Sequence, residues 1–110
     1  MAIKNTAIPA TTDTSIYTSV GDNAITTVII CNTNSTPGTG DRTLTLYAVE
    51  NNAGAVGTTG AGNMIVQTLT IPAGETVSFD QEKMVLANND AIFAYASGTG
   101  LTATVSTLPV

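Results

Sequence analysis

An all-β fold, an antiparallel sandwich of about eight short strands with an extended N-terminal arm, follows from three observations on this sequence. First, charged residues make up only 10% of its 110 residues. Threonine, alanine and asparagine fill positions usually given to lysine and glutamate, a balance that suits pleated, half-buried surfaces. Second, short apolar runs are separated by Gly, Pro, Asn and Asp signals roughly every eight to twelve residues, the spacing of an immunoglobulin-like sandwich or a jelly roll. Third, no segment holds a 3.6-residue period beyond two turns. The length fits one domain able to bury a core without metals or disulfide staples.

Residues 1–14 are polar, contain Pro9 and lack a period, so they read as an extended arm with a short edge strand around Ala7 and Ile8. The folded domain is expected over 15–110. Its first strand, "SIYTSV", puts Ile16, Thr18 and Val20 on one face or on one sheet edge. "AITTVIICNT", 24–33, is the strongest strand, with Ile25, Ile29 and Cys31 on one parity and Val28 and Ile30 on the other. Apolar residues on both parities predict that both faces are at least partly covered. Cys31, the single cysteine, excludes an internal disulfide and reads as a buried, inert thiol.

The turn "NSTPGTGD" follows, then "RTLTLYAVE", in which Leu44, Leu46 and Ala48 alternate with Thr43, Thr45 and Tyr47. After the glycine-rich "NNAGAVGTTGAGN" comes "MIVQTLTI", in which Ile65, Leu69 and Ile71 alternate with polar or mixed residues. "PAGE" makes a turn, "TVSFD" turns Val77 and Phe79 inward, and "KMVL" is a short strand. "FDQEKMV" has room for one helical turn across the end of the sheets. "AIFAYAS" and "LTATVST" close the chain, joined by a "GTG" short enough for a hairpin.

Charge and residue types restrict function. Three basic residues (Lys4, Arg42, Lys83) against eight acids give a net charge of −5 and a pI near 4.1. Neutralising several phosphates needs several cations, so neither nucleic acid nor an anionic membrane is an expected partner. The N-terminus lacks the apolar run of a secretory signal, and no apolar stretch is long enough to span a bilayer; the chain is expected to be made in the cytoplasm and stay soluble. Gly54, Gly57, Gly60 and Gly62 suggest a phosphate loop. However, a strand-like segment follows them and no Lys or Arg lies between Arg42 and Lys83, so slack between strands is the better reading.

With no histidine, a serine triad in its common form is absent. The carboxylates open to acid–base chemistry are Asp80 with Glu82, Asp90, and Asp41 with Glu50; their places near turns favour capping and solvation instead. Asp22, Asn23, Asp80 and Asp90 could at most meet calcium at a subunit interface, without the ligand run of a dedicated loop. No enzyme activity and no cofactor are expected. Tyr47 and Tyr95 fall opposite the small aliphatic residues of their strands and stand on an outer surface, where a subunit contact outweighs a glycan platform.

The opening "MAIKNTAIPATTDTSIYTS", the strand "AITTVIICNT", the paired "LTLYAV", and "IPAGETVSFDQEKMVLANNDAIFAYAS" followed by "LTATVSTL" resemble small virion structural proteins of tailed bacteriophages. The likeness spans nearly the whole chain. It implies a short arm before an all-β domain and a non-enzymatic particle component. The first expectation is a capsid decoration or cement protein, a homo-oligomer such as a trimer that binds the major capsid protein. A neck, tail or baseplate adaptor and a β-sandwich module for a glycan or host surface are the alternatives. In the arm, Ile3, Ile8 and Pro9 are the expected assembly contacts, joined by Tyr47 and Tyr95 on the domain.

Overall fold

The longest β-like run is also the geometric centre of one sheet. A computed structural model describes residues 2–79 and 84–110, and among them nine strands form two packed antiparallel sheets. The strands are β1 (Ala2–Ile8), β2 (Thr14–Thr18), β3 (Asn23–Asn32), β4 (Arg42–Val49), β5 (Met64–Ile71), β6 (Thr76–Phe79), β7 (Met84–Leu86), β8 (Ala91–Ala96) and β9 (Leu101–Pro109). The five-stranded sheet has the order β1-β9-β3-β6, with β7 also paired to β3. The four-stranded sheet runs β2-β8-β4-β5. The sandwich is therefore as the sequence predicts. The helical turn expected over "FDQEKMV" and the pair Asp80 and Glu82 fall largely on residues 80–83, outside the described residues.

Between the sheets, Ile25, Val28, Ile30, Ala103 and Val105 of one sheet face Leu44, Leu46, Ile92, Ala94 and Ala96 of the other, all at 3% exposure or less. Each large aliphatic side chain so buried contributes about 1.5–3 kcal/mol relative to exposure. The alanines let the sheets approach.

The arm is more ordered than the sequence suggested. Residues Ala2 to Ile8 pair with β9 from Thr107 to Leu101 as a full edge strand. Ile8 is in the core at 2% exposure, which removes it from the expected assembly contacts because its side chain is already covered by its own fold. The chain then crosses to the other sheet through Ala10, which bridges to Ala96, and the Thr11 N–H donates to the Ala96 carbonyl.

Bulges account for the altered face assignments. In β3 the register against β9 shifts between Ile25 and Thr27, so Ile25 joins Val28 and Ile30 inside while Ile29 and Cys31 point out. One extra residue inverts the parity of everything before it. The outer side of β3 carries no covering layer among the described residues. In β5, Thr68 adopts φ 45 and the register against β4 slips twice, leaving Val66 packed on the core and Ile65 49% exposed. A β-branched residue rarely takes that conformation, and a bulge is where the sheet accommodates it. A further bulge at Ser15/Tyr17 turns Ile16 fully inward, while Val20 lies beyond the strand at 85% exposure.

The expected β8–β9 hairpin does not form. β8 pairs β2 and β4, whereas β9 pairs β1 and β3, so Ser97–Gly100 carries the chain between sheets. Gly100 turns at φ 108, and the Thr99 carbonyl accepts from both Arg42 Nε and Asn34 Nδ2. Those long-range bonds hold the connection in a direction that a two-strand turn would not take.

Candidate functional site

Side chains alternate along strands, so register defines what each outer face presents. On the five-stranded sheet, successive rows across the outer face read Ala7, Thr102, Cys31, Thr76; then Asn5, Thr104, Ile29, Ser78; then Ile3, Ser106, Thr27; and lastly Leu108, Ala24, Val85. None of these residues is a carboxylate, an amine or a guanidinium. Ile3 is 70% exposed, Val85 67%, Leu108 46% and Ile29 36%, which places on this one face half of the large exposed hydrophobics among the described residues. Thr104 Oγ1 donates to Asn5 Oδ1 at 2.9 Å and ties the edge strand to its neighbour on the exposed side.

Among the described residues, the charged side chains other than Lys4 lie at strand ends. Asp13, Asp22, Asp41, Glu75 and Asp90 precede strands and Glu50 follows one, where solvent reaches them. Lys4 sits in β1 opposite Val105, on the inward parity of an edge strand, and is solvent-exposed. An inward-directed charge on an edge opposes addition of a further strand there. Arg42, at the start of β4, spends its guanidinium on the carbonyls of Thr99, Thr39 and Asp41.

The other outer face is aromatic. Tyr47 lies directly opposite Phe93, and Tyr95 opposite Thr45, with Met64 on the far side of Tyr47. Tyr47 and Tyr95 stand on one outer surface as their strand parity predicts, both half-buried. Phe93 completes the group; its place three residues into the "AIFAYAS" alternation was the available signal. Of the arm residues expected to make contacts, Ile3 and Pro9 are exposed, Ile3 on the five-stranded face and Pro9 at the crossing between sheets.

The glycine-rich segment is neither a phosphate cradle nor slack. It joins β4 to its sheet neighbour β5 and is folded onto the domain. Asn52 and Ala55 form a tight bridge, Asn89 Nδ2 donates to the Gly54 carbonyl, Asn63 Nδ2 donates to the Thr58 carbonyl, and Thr59 Oγ1 donates to Asp13 Oδ2. Gly57 rests on β4: a Cβ there would sit 2.5 Å from the Glu50 carbonyl oxygen and 3.0 Å from Val49 Cγ1. Sequence composition shows the glycines but not these partners, which come from three other segments.

Asp90 is the anchor of that loop. Its Oδ1 accepts from the Asn51 N–H at 2.8 Å and from Asn51 Nδ2 at 2.9 Å, and its Oδ2 accepts from the Ala87 N–H. The Asn51 backbone bond above all, opposed by partial desolvation and aided by the other two, holds the carboxyl below its usual range. This is a capping role, as its turn position predicts. Asp41 and Glu50 lie at opposite ends of β4 and cannot act as a pair. Among the described residues no three His, Cys, Asp or Glu side chains gather as a metal site.

Two hollows remain. A cleft of about 570 Å³ between the glycine-rich loop and β5 is lined by Glu50, Asn51, Asn52, Thr58 and Asn63 above Val49 and Met64. A second, about 400 Å³ and apolar, opens between the sheets among Val28, Leu46, Val66, Phe79, Met84 and Ile92. Cys31 is half-exposed on the outer face rather than buried, on the parity of Ile29 and opposite to Val28 and Ile30.

The sequence reading also missed a buried polar hub. Asn32 is fully buried at the end of β3; its Nδ2 donates to the Gly40 and Ile71 carbonyls at 2.8 Å each, and its Oδ1 accepts from the Asn34 N–H and Asn34 Nδ2. A polar residue on the inward parity of Val28 and Ile30 is the signal that could have found it. No helix among the described residues is long and apolar enough to cross a membrane. In comparisons with known proteins, no family model and no curated protein sequence matches the chain.

Proposed function

We propose that this chain is a non-enzymatic structural component of a tailed-bacteriophage particle, a capsid decoration or cement protein that binds the assembled shell and its major capsid protein. The supporting observation is the outer face of the five-stranded sheet, broad, without a charged residue among those described and bearing four exposed aliphatic side chains. Interfaces are depleted in charge at their centres, and modest contacts repeated around a symmetric shell add up through copy number. Binding only the assembled state would stabilise that state by linkage.

Quantitative mass spectrometry of purified particles tests this. A copy number equal to that of the major capsid protein, or a simple fraction of it, supports decoration. A few tens of copies or fewer moves the protein to the neck, tail or baseplate, and absence from the particle refutes a structural role. A second reading, a glycan or host-surface module, is favoured by the Tyr47, Phe93 and Tyr95 group, since aromatic faces receive sugar rings. Binding to a glycan array that disappears in Tyr47→Ala with the fold intact would support it.

A further inference from the structure

We propose that the cleft between the glycine-rich loop and β5 binds a neutral saccharide through its hydroxyl groups, with Glu50, Asn52 and Thr58 as the recognising side chains. The site is independent of the particle reading. It deepens the glycan reading and rests on it for the kind of ligand but not for the place, since Tyr47, Phe93 and Tyr95 do not line the cleft.

The walls are built before any ligand arrives. Asn51 spends both ends of its amide inside the protein, Nδ2 donating to Asp90 Oδ1 and Oδ1 accepting from the Gly54 N–H at 3.2 Å. Asn63 does the same, donating to the Thr58 carbonyl and accepting from the Gly60 N–H at 3.0 Å. These bonds hold the loop on either side of the cleft, and the Asn52–Ala55 bridge holds its first turn. Gly57, packed against the Glu50 carbonyl, contributes no side chain to fill the space. A wall already ordered lowers the entropy lost on binding.

The groups left unspent select the ligand. Among the described residues, the Glu50 carboxylate, the Asn52 amide and the Thr58 hydroxyl make no side-chain hydrogen bond, and all three belong to exposed residues that line the cleft. Together they offer carboxylate acceptors, amide donors and a hydroxyl that does both. A sugar hydroxyl donates and accepts, so adjacent hydroxyls answer the whole set. An ammonium group supplies donors only and leaves the Asn52 amide N–H groups without an acceptor. Calcium takes about six to eight oxygen ligands, and the described lining has one carboxylate. An anionic sugar or a phosphate meets Glu50 with no lysine or arginine among the described lining residues. Beneath the polar groups, Val49 and Met64 give an apolar floor for the C–H face of a ring, and Met64 joins the cleft to the aromatic row through its pairing with Tyr47. The volume of about 570 Å³ falls within the range of about 300–1,000 Å³ typical of small-molecule sites.

A glycan array carrying neutral, sialylated and sulfated glycans, probed with the full chain, tests this, followed by titration of neutral sugars into isotope-labelled protein watched by amide NMR. The expected result is binding to neutral glycans and not to their sialylated or sulfated forms, with saturable shifts at residues 50–58 and 62–64. Glu50→Ala should weaken binding at least about tenfold and Thr58→Val about threefold or more, because each removes a hydrogen bond to the ligand. Glu50→Gln keeps an acceptor in the same place and should lose less than Glu50→Ala. Both side chains are exposed, so the variants keep the fold.

No neutral glycan bound, or shifts confined to other residues, overturns the inference. So does an equal loss in Glu50→Gln and Glu50→Ala, which would mark recognition of positive charge, or saturable shifts at the cleft with ethylamine or calcium and with no sugar. Glycan binding abolished by Tyr47→Ala and unchanged in Glu50→Ala and Thr58→Val would overturn the cleft and leave the aromatic reading standing; the opposite pattern would keep the cleft and remove the aromatic site.

Discussion

Replacing Asn32 with leucine should be among the most damaging single changes in this molecule. Leucine has asparagine's heavy-atom count and branching but bulkier methyl groups, so a packing cost adds to the loss of hydrogen bonds. The Gly40 and Ile71 carbonyls, both on buried residues, each lose a 2.8 Å donor and gain no water. The Asn34 N–H and side chain are less covered and can be resolvated. An unsatisfied buried acceptor costs about 1–3 kcal/mol, so the two together cost on the order of 4 kcal/mol. For a domain of this size that lowers Tm by about 15 °C or more. Urea unfolding followed by circular dichroism should show a lower midpoint with an unchanged slope. Asn32→Asp should be worse at neutral pH, because a carboxylate would face two carbonyl oxygens. Its burial raises the pKa, so part of the loss should return as pH falls and the group takes up a proton. A cost below about 1 kcal/mol for Asn32→Leu would refute the argument, since it would mean that the carbonyls are satisfied without Asn32.

Ile8→Ala and Ile3→Ala make a matched pair on one strand: the first should cost about 2–4 kcal/mol through a core cavity, the second less than about 0.5 kcal/mol, both measured by urea unfolding. Equal effects would place Ile8 outside the core. Gly57→Ala should destabilise by about 1–3 kcal/mol or lift the loop from β4, which faster hydrogen exchange at the Asn52–Ala55 bridge would report. Asp90 has a native pKa below its unfolded value, so its contribution is complete above the unfolded value of about 4 and is lost as pH falls through the native one. The acid-side drop in stability should therefore shrink in Asp90→Asn; an identical pH profile in the variant would assign the drop to other carboxylates.

Much of the architecture is legible in the chain because strand periodicity is local. The alternation in "RTLTLYAV" places Leu44 and Leu46 inside and Tyr47 outside with no knowledge of any partner. The Pro72 to Glu75 turn is equally local, closed by the Glu75 N–H donating to the Pro72 carbonyl with Gly74 at φ 79. The positions of the acids at turns followed from the same residue-by-residue preferences.

What local preference could not supply was pairing. The bulge at Thr26–Thr27 depends on β9 and exchanges the face of Ile25. Ile29 and Cys31, after the bulge, keep their own alternation and face outward. A polar arm of residues with no period became an edge strand because β9 offered it a ladder of backbone partners. A short Gly-Thr-Gly link became a crossing between sheets because Arg42 and Asn34 hold the Thr99 carbonyl.

The sequence by itself determined the class of fold, the inward parity within each uninterrupted run, the surface place of the acids, and the lack of a histidine-based chemistry, since each of these depends on residue type and near neighbours. Only the tertiary structure decided which strands meet, where the register slips, and hence that the described residues on one outer face carry no charge. Those outcomes are set by backbone hydrogen bonds between residues up to about a hundred positions apart, as between Ala2 and Thr107, whose pairing no local pattern encodes.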